Sequence, residues 1–143
     1  MTSNDPHDLQ RFIEAQDPVL HAVLAELRAG AKRTHWMWFV FPQLRVLGRS
    51  ATARHYGLAD LDEARAYLAH PVLGPRLREC VDAVMSVRGR TLHEVFGSPD
   101  DLKFCSCMTL FEAVAGPGSV FSQALDRWCE GRRCEATVRA LRP

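Results

Sequence analysis

His70–Gly89, HPVLGPRLRECVDAVMSVRG, decides the fold class. Leu73, Leu77, Val81, Val84 and Met85 recur at intervals of one, three and four residues, which places them on one stripe of an α-helix. Pro71 and Pro75 stand in or before a first turn, where a missing backbone N–H leaves no bond unmade, and Gly89 ends the run. The spacing predicts a helix that begins near Gly74 or Pro75 and closes before Gly89.

The same pattern continues in both directions. Upstream, Leu20, Val23, Leu24 and Leu27 form a helical stripe that ends in Arg28 and Gly30, a cationic last turn followed by a terminating glycine. Asp17-Pro18 reads as an N-cap with Pro at the first helical position, so a break is expected at Asp17. Before it, Asp5-Pro6 and Asp8 open a helix carrying Leu9, Phe12 and Ile13. Ser50 and Asp60 are placed to cap two short helices, Asp60 with Glu63 three residues on. Downstream, Thr91 and Glu94 have capping-box spacing, and Ser98-Pro99-Asp100-Asp101 reads as N-cap, Pro at N1 and two acids opening the helix DLKFCSCMTLFEAVA. Gly116-Pro117-Gly118 interrupts, and two further helical segments close the chain. Only Trp38–Phe41 looks strand-like. The expected architecture is all-α, a compact single-domain bundle of about six to eight helices over residues 1–143, with its core at about 8–141.

Composition limits the functions. A chain of 143 residues with 47% hydrophobic content suits one domain with one core. Eighteen Lys plus Arg against seventeen Asp plus Glu leave a formal charge of +1, so no global field favours nucleic acid or an anionic membrane. No basic-then-apolar leader opens the chain, and no apolar run reaches the ~18 residues that span a bilayer. The expectation is a soluble, cytoplasmic protein with no nucleic-acid or membrane partner. Its five cysteines lack CxxC spacing and are expected to be reduced thiols; Cys105 and Cys107, two apart on a helix, point about 200° away from one another and cannot share a metal. No metal site and no cofactor motif is expected.

Further motifs raise the functional question. In KRTHWMWFVFPQL, Lys32–Leu44, the polar residues Lys32, His35 and Gln43 sit among Trp36, Trp38 and two Phe. Trp faces can hold a planar ring or a cation, an imidazole exchanges protons near neutrality, and Lys32 suits an anion. Core filling by the aromatic residues is the competing reading. In SPDDLKFCS, Lys103 and Ser106 follow a helix start where Asp100 is a candidate base or ligand partner, against a plain capping role. Arg76, near another helix start, needs a carboxylate: Glu63 or Asp100 of the chain, or one from a ligand. Cys105, Ser106 and Cys107, inside a helix expected to be buried, offer no evident nucleophile.

THWMWFVFPQL, preceded by AQDPVLHAVLAELRAGAKR and followed by LGRS, YLAHPVLGPRL, VFGSPDDLKF and CSCMTLF, resembles the family known as domain of unknown function 1810, from about Asp8 to Leu141. The resemblance implies an all-helical single domain without an assigned activity. Its pattern matches here at Lys32, His35, Trp36, Trp38, Gln43, Arg76, Asp100, Lys103 and Ser106; the chain departs at Val46, where glycine is usual, and at Cys107, where serine is usual. Together these observations lead to one expectation: a pocket between the two motifs that binds a small polar or anionic metabolite, nucleotide-like in the boldest form, with His35 or Asp100 as base if the protein is a hydrolase. The competing expectation is a protein-interaction or structural domain. Oligomeric state is left open.

Overall fold

The helix anticipated at His70–Gly89 spans Leu73–Met85 in the structure, a computed structural model that describes residues 5–142. Most of its stripe is buried as the spacing requires: Leu73, Val81 and Val84 are fully enclosed and Leu77 nearly so, while Met85 at the end is half-buried. The outer ends of the expected 1–143 domain, residues 1–4 and 143, lie outside the described residues.

The described chain contains ten α-helices and no β-strand: α1 (Gln10–Gln16), α2 (Leu20–Arg28), α3 (Met37–Val40), α4 (Ala51–His55), α5 (Leu61–Ala69), α6 (Leu73–Met85), α7 (Leu92–Phe96), α8 (Asp100–Ala115), α9 (Val120–Trp128) and α10 (Glu135–Leu141). It is an all-α single domain. Seven of the ten have seven residues or more, and the extra short ones explain the excess over six to eight. One of these is the WFVF segment, which forms the single turn α3 rather than a strand. A short apolar run carries no period of its own, and here packing of α3 against α1 settles it.

Helix α8 is the hub, against which α5, α7, α9 and α10 all pack. Phe104, Cys107, Met108, Leu110 and Phe111 along it are fully buried, so it is apolar around most of its circumference, as a central helix must be. Phe104 stacks on Phe96 of α7 (5.1 Å) and meets Phe41 edge-on (5.2 Å), which ties the end of the aromatic segment to the start of α8.

Several caps are as the sequence predicts. Ser50 accepts from Ala53 N–H, Asp60 from Glu63 N–H, and Thr91 with Glu94 forms a complete capping box. Others differ. The chain breaks at Asp17, but Asp17 ends α1 and its carboxylate bonds Arg76 (2.7 Å); Val19 holds the N-cap of α2 without a side-chain cap. Asp5, not Asp8, receives the first N–H groups of α1, from Leu9 and Gln10. Pro99, preceded by a cis peptide, takes the N-cap position expected of Ser98.

The expectation of uniformly reduced thiols is overturned: Cys105 of α8 and Cys129 at the end of α9 form a disulfide, with Cα atoms 6.0 Å apart. The pair is 24 residues apart in sequence, so no local spacing announces it; the packing of α9 on α8 creates the proximity. Among the described residues no helix is long and apolar enough to cross a membrane.

Candidate functional site

The loop after α2 builds the first wall. Its turn is organised by Glu26, whose carboxylate accepts from Arg33 N–H (2.6 Å), Thr34 N–H (3.0 Å), the Thr34 hydroxyl (2.7 Å) and Trp36 Nε1–H (3.1 Å). Partial burial works against its charge, but these four donors outweigh it and hold the Glu26 carboxyl down at about 2. Lys32 N–H donates to the Val95 carbonyl of α7 (2.8 Å), which aims the Lys32 side chain at the start of α8.

The two sequence motifs meet there. Lys32 Nζ lies 3.0 Å from Asp100 Oδ2 and 5.1 Å from the Trp36 ring centre. Lys103 Nζ is 3.7 Å from the other Asp100 oxygen and 6.0 Å from the Trp38 ring centre. Lys32 is 8% exposed at its side chain, a buried ammonium that its carboxylate neutralises, whereas Lys103 is 27% exposed. Trp38, Gln43 and Lys103, with Tyr56 of the α4 end, line a small cleft of about 10 Å³, enough for roughly one water-sized group.

The remaining candidates are placed elsewhere. Trp36 is 1% exposed and belongs to the core. His35 lies on the surface beside the Glu26-bound turn and does not line the cleft. Arg76 joins α6 to α1 through Asp17 and Gln16 (3.4 Å), not through Glu63 or Asp100; the tertiary contact of α1 with this end of α6 supplies the nearer carboxylate. Ser106 is buried, its hydroxyl 2.8 Å from that of Thr137 on α10.

Glu63, which the sequence marked as a capping partner and as one carboxylate open to Arg76, is a buried carboxylate. It takes Arg11 (2.8 Å), the Ala59 N–H (2.8 Å) and, more distantly, Arg45 (3.9 Å). Arg11 also donates to the carbonyls of His7, Asp8, His55 and Gly57. Arg11 gives no local signal of this role, because Glu63, His55 and Gly57 lie more than forty residues from it; Tyr56 joins the cleft from the end of α4.

Chemically, the cleft offers an aromatic face, an amide and one incompletely neutralised ammonium. Asp100 is flanked by two cations, Lys32 and Lys103. Among the described residues no group of three or more His, Cys, Asp and Glu could hold a metal.

Fold and cleft together define a small all-helical domain in which a partly buried Lys–Asp pair joins an aromatic segment to a central helix. The chain belongs to the family described as "Protein of unknown function (DUF1810)", whose pattern covers residues 6–141. It is similar to the conserved hypothetical protein Rv1873 from Mycobacterium tuberculosis, whose crystal structure superposes with a TM-score of 0.94 at 53% identity, over 96% of this chain and 98% of that one. No curated protein matches the chain.

Proposed function

We propose that this protein binds a small anionic metabolite at the Trp38–Gln43–Lys103 cleft, without catalysis by the residues that line it. The observation that supports this is the unequal sharing of Asp100: Lys32 takes it at 3.0 Å, which leaves Lys103 a looser contact at 3.7 Å and a partly exposed side chain beside Trp38. An anion there gains charge-assisted hydrogen bonds from Lys103 and an amide contact from Gln43. The size of the cleft restricts what enters. A whole nucleotide does not fit; a carboxylate or phosphate end does so when the half-exposed Lys103 and Trp38 side chains move aside, and the rest of the ligand stays outside. The hydrolase reading loses its bases, since His35 stands away from the cleft and Asp100 is paired twice.

The test is a thermal-shift screen with nucleotides, ADP-ribose derivatives and organic acids. At a concentration of ~100 Kd a ligand adds about 2.7 kcal/mol, which is about 5–10 °C for a domain of this size. The shift is expected to survive in His35→Ala and to vanish in Lys103→Ala and Trp38→Ala. A shift that persists in both cleft variants, or a screen with no hit, removes the reading.

A further inference from the structure

Helix α4 separates the cleft beside Trp38 from a second concavity. Ala53 and Tyr56 line the cleft, whereas Arg54 and His55 line an open hollow of about 370 Å³ that they share with His7, Asp8, Arg11 and Arg45. The floor of the hollow is fixed. The Arg11 side chain is only 9% exposed, pairs with Glu63 at 2.8 Å, and donates to the carbonyls of His7, Asp8 and His55. One guanidinium thus gathers the backbone of three lining residues. The His55 ring is steadied in turn by edge-on contact with Tyr56, 4.6 Å between centres.

Two further arginines are seated on this floor by close backbone contact. Arg45 N–H donates to the Leu58 carbonyl (2.7 Å), and Gly57 lies so near that a Cβ on it would stand 2.4 Å from Arg45 Cα. Gly48 presses on α4 in the same way: a Cβ there would stand 3.1 Å from Arg54 N, and its carbonyl accepts Arg54 Nε–H (3.3 Å). Only glycine permits both approaches. The protein does not neutralise the charges it brings together. Glu63 is 3.9 Å from Arg45 but 2.8 Å from Arg11, and the Arg45 side chain is 51% exposed. Beyond Nε, the Arg54 guanidinium has no hydrogen bond or ion pair among the described residues, and Asp8, the acid that lines the hollow, pairs with neither arginine. Like charges held in one concavity repel each other and concentrate anions there.

We propose that this hollow binds the diphosphate group of a small molecule, with Arg45 and Arg54 each taking one phosphoryl group and the rings of His7 and His55 supplying further N–H donors. A guanidinium fork matches phosphoryl oxygens bidentately, and two forks on one hollow suit two linked phosphoryl groups better than a single carboxylate. The open mouth leaves the rest of the ligand in solvent. The proposal stands apart from the reading of the Trp38 cleft, since no residue is common to the two linings.

The experiment titrates the folded chain with inorganic pyrophosphate by calorimetry at fixed ionic strength. Saturable binding at one site is expected, weakened about tenfold or more in Arg45→Gln and in Arg54→Gln. Asp8→Asn should tighten it by removing the lining acid, and Asn tolerates the left-handed backbone at this position (φ 52°). Arg139→Gln, an equal loss of charge at an exposed site on α10, should leave it unchanged. Arg45 and Arg54 are both exposed, so Tm checks that their variants fold; Arg45→Lys and Arg54→Lys, which keep the charge and lose the fork, should also bind more weakly and carry the same test. No saturable binding, an equal loss in Arg139→Gln, or full affinity in the Arg45 or Arg54 variants overturns the proposal. Sedimentation with phosphatidic acid vesicles through Arg45 and Arg54, without binding of pyrophosphate, would place the phosphate on a lipid surface and overturns it as well.

Discussion

Replacing Arg11 by Met tests whether the Arg11–Glu63 pair holds α1 against the α4–α5 region. The two side chains are 9% and 3% exposed, so the carboxylate of Glu63 is left in a nearly dry site once the guanidinium is gone. Breaking a buried pair from one side costs about 3–5 kcal/mol, because the orphaned charge keeps its desolvation penalty. Glu63 retains the Ala59 N–H at 2.8 Å, and Arg45, now 3.9 Å away, can approach. These partners place the expected loss at the low end, about 3 kcal/mol, or about 6–12 °C in Tm for a domain of this size. Glu63→Met should cost a comparable amount for the converse reason, and the double variant distinctly less than the sum, with a coupling of about 1–3 kcal/mol. Urea unfolding followed by far-UV circular dichroism at neutral pH measures all four proteins. A single Arg11→Met loss below about 1 kcal/mol, or strict additivity in the double variant, would refute this account of the pair.

Two further outcomes follow from the same geometry. Glu26 sits at about 2 in the folded chain against an ordinary 4.5, so the stability it adds is complete above 4.5 and disappears as pH falls toward 2. The full shift corresponds to at most ~3 kcal/mol, which solvent screening of this largely solvated carboxylate reduces to about 1 kcal/mol. Glu26→Gln should therefore trail the wild type by that margin at neutral pH and converge with it in acid, as read from unfolding midpoints across pH 2–7; a constant gap would contradict the assignment. Gly74→Ala places a Cβ 2.1 Å from the Leu68 carbonyl oxygen, a backbone atom that cannot turn away. The α5–α6 junction must shift, at about 1–3 kcal/mol, and an unchanged Tm would show that the junction has slack.

The helices were largely legible from residue order because helix rules are local. Spacing at three and four places Leu73, Leu77, Val81 and Val84 on one face, and the caps at Ser50, Asp60 and Thr91 concern residues three apart. The predictions failed where a side chain had a distant alternative. Asp17 ends a helix and binds Arg76, fifty-nine residues away; the helix start expected at Ser98-Pro99 shifts by one residue, with the Asp100 carboxylate turned toward Lys32. WFVF had no period long enough to choose helix or strand.

The candidate site divides in the same way. Residue types and family motifs identified the aromatic segment and the DDLKF helix start, and in the structure Lys32, Trp38, Gln43, Asp100 and Lys103 gather where these two segments meet. Pattern could not reveal that Trp36 is core, that His35 faces away, or that Ser106 serves Thr137, because a polar residue in an apolar run looks alike whether it lines a cleft or meets a buried partner. Helical class and single-core size follow from the order of residues, since hydrophobic period and chain length act within one segment or over the whole composition. The Arg11–Glu63 pair, the Cys105–Cys129 bond and the two clefts follow only from packing, since each joins residues whose proximity is created when α8 becomes the hub and the other helices close around it.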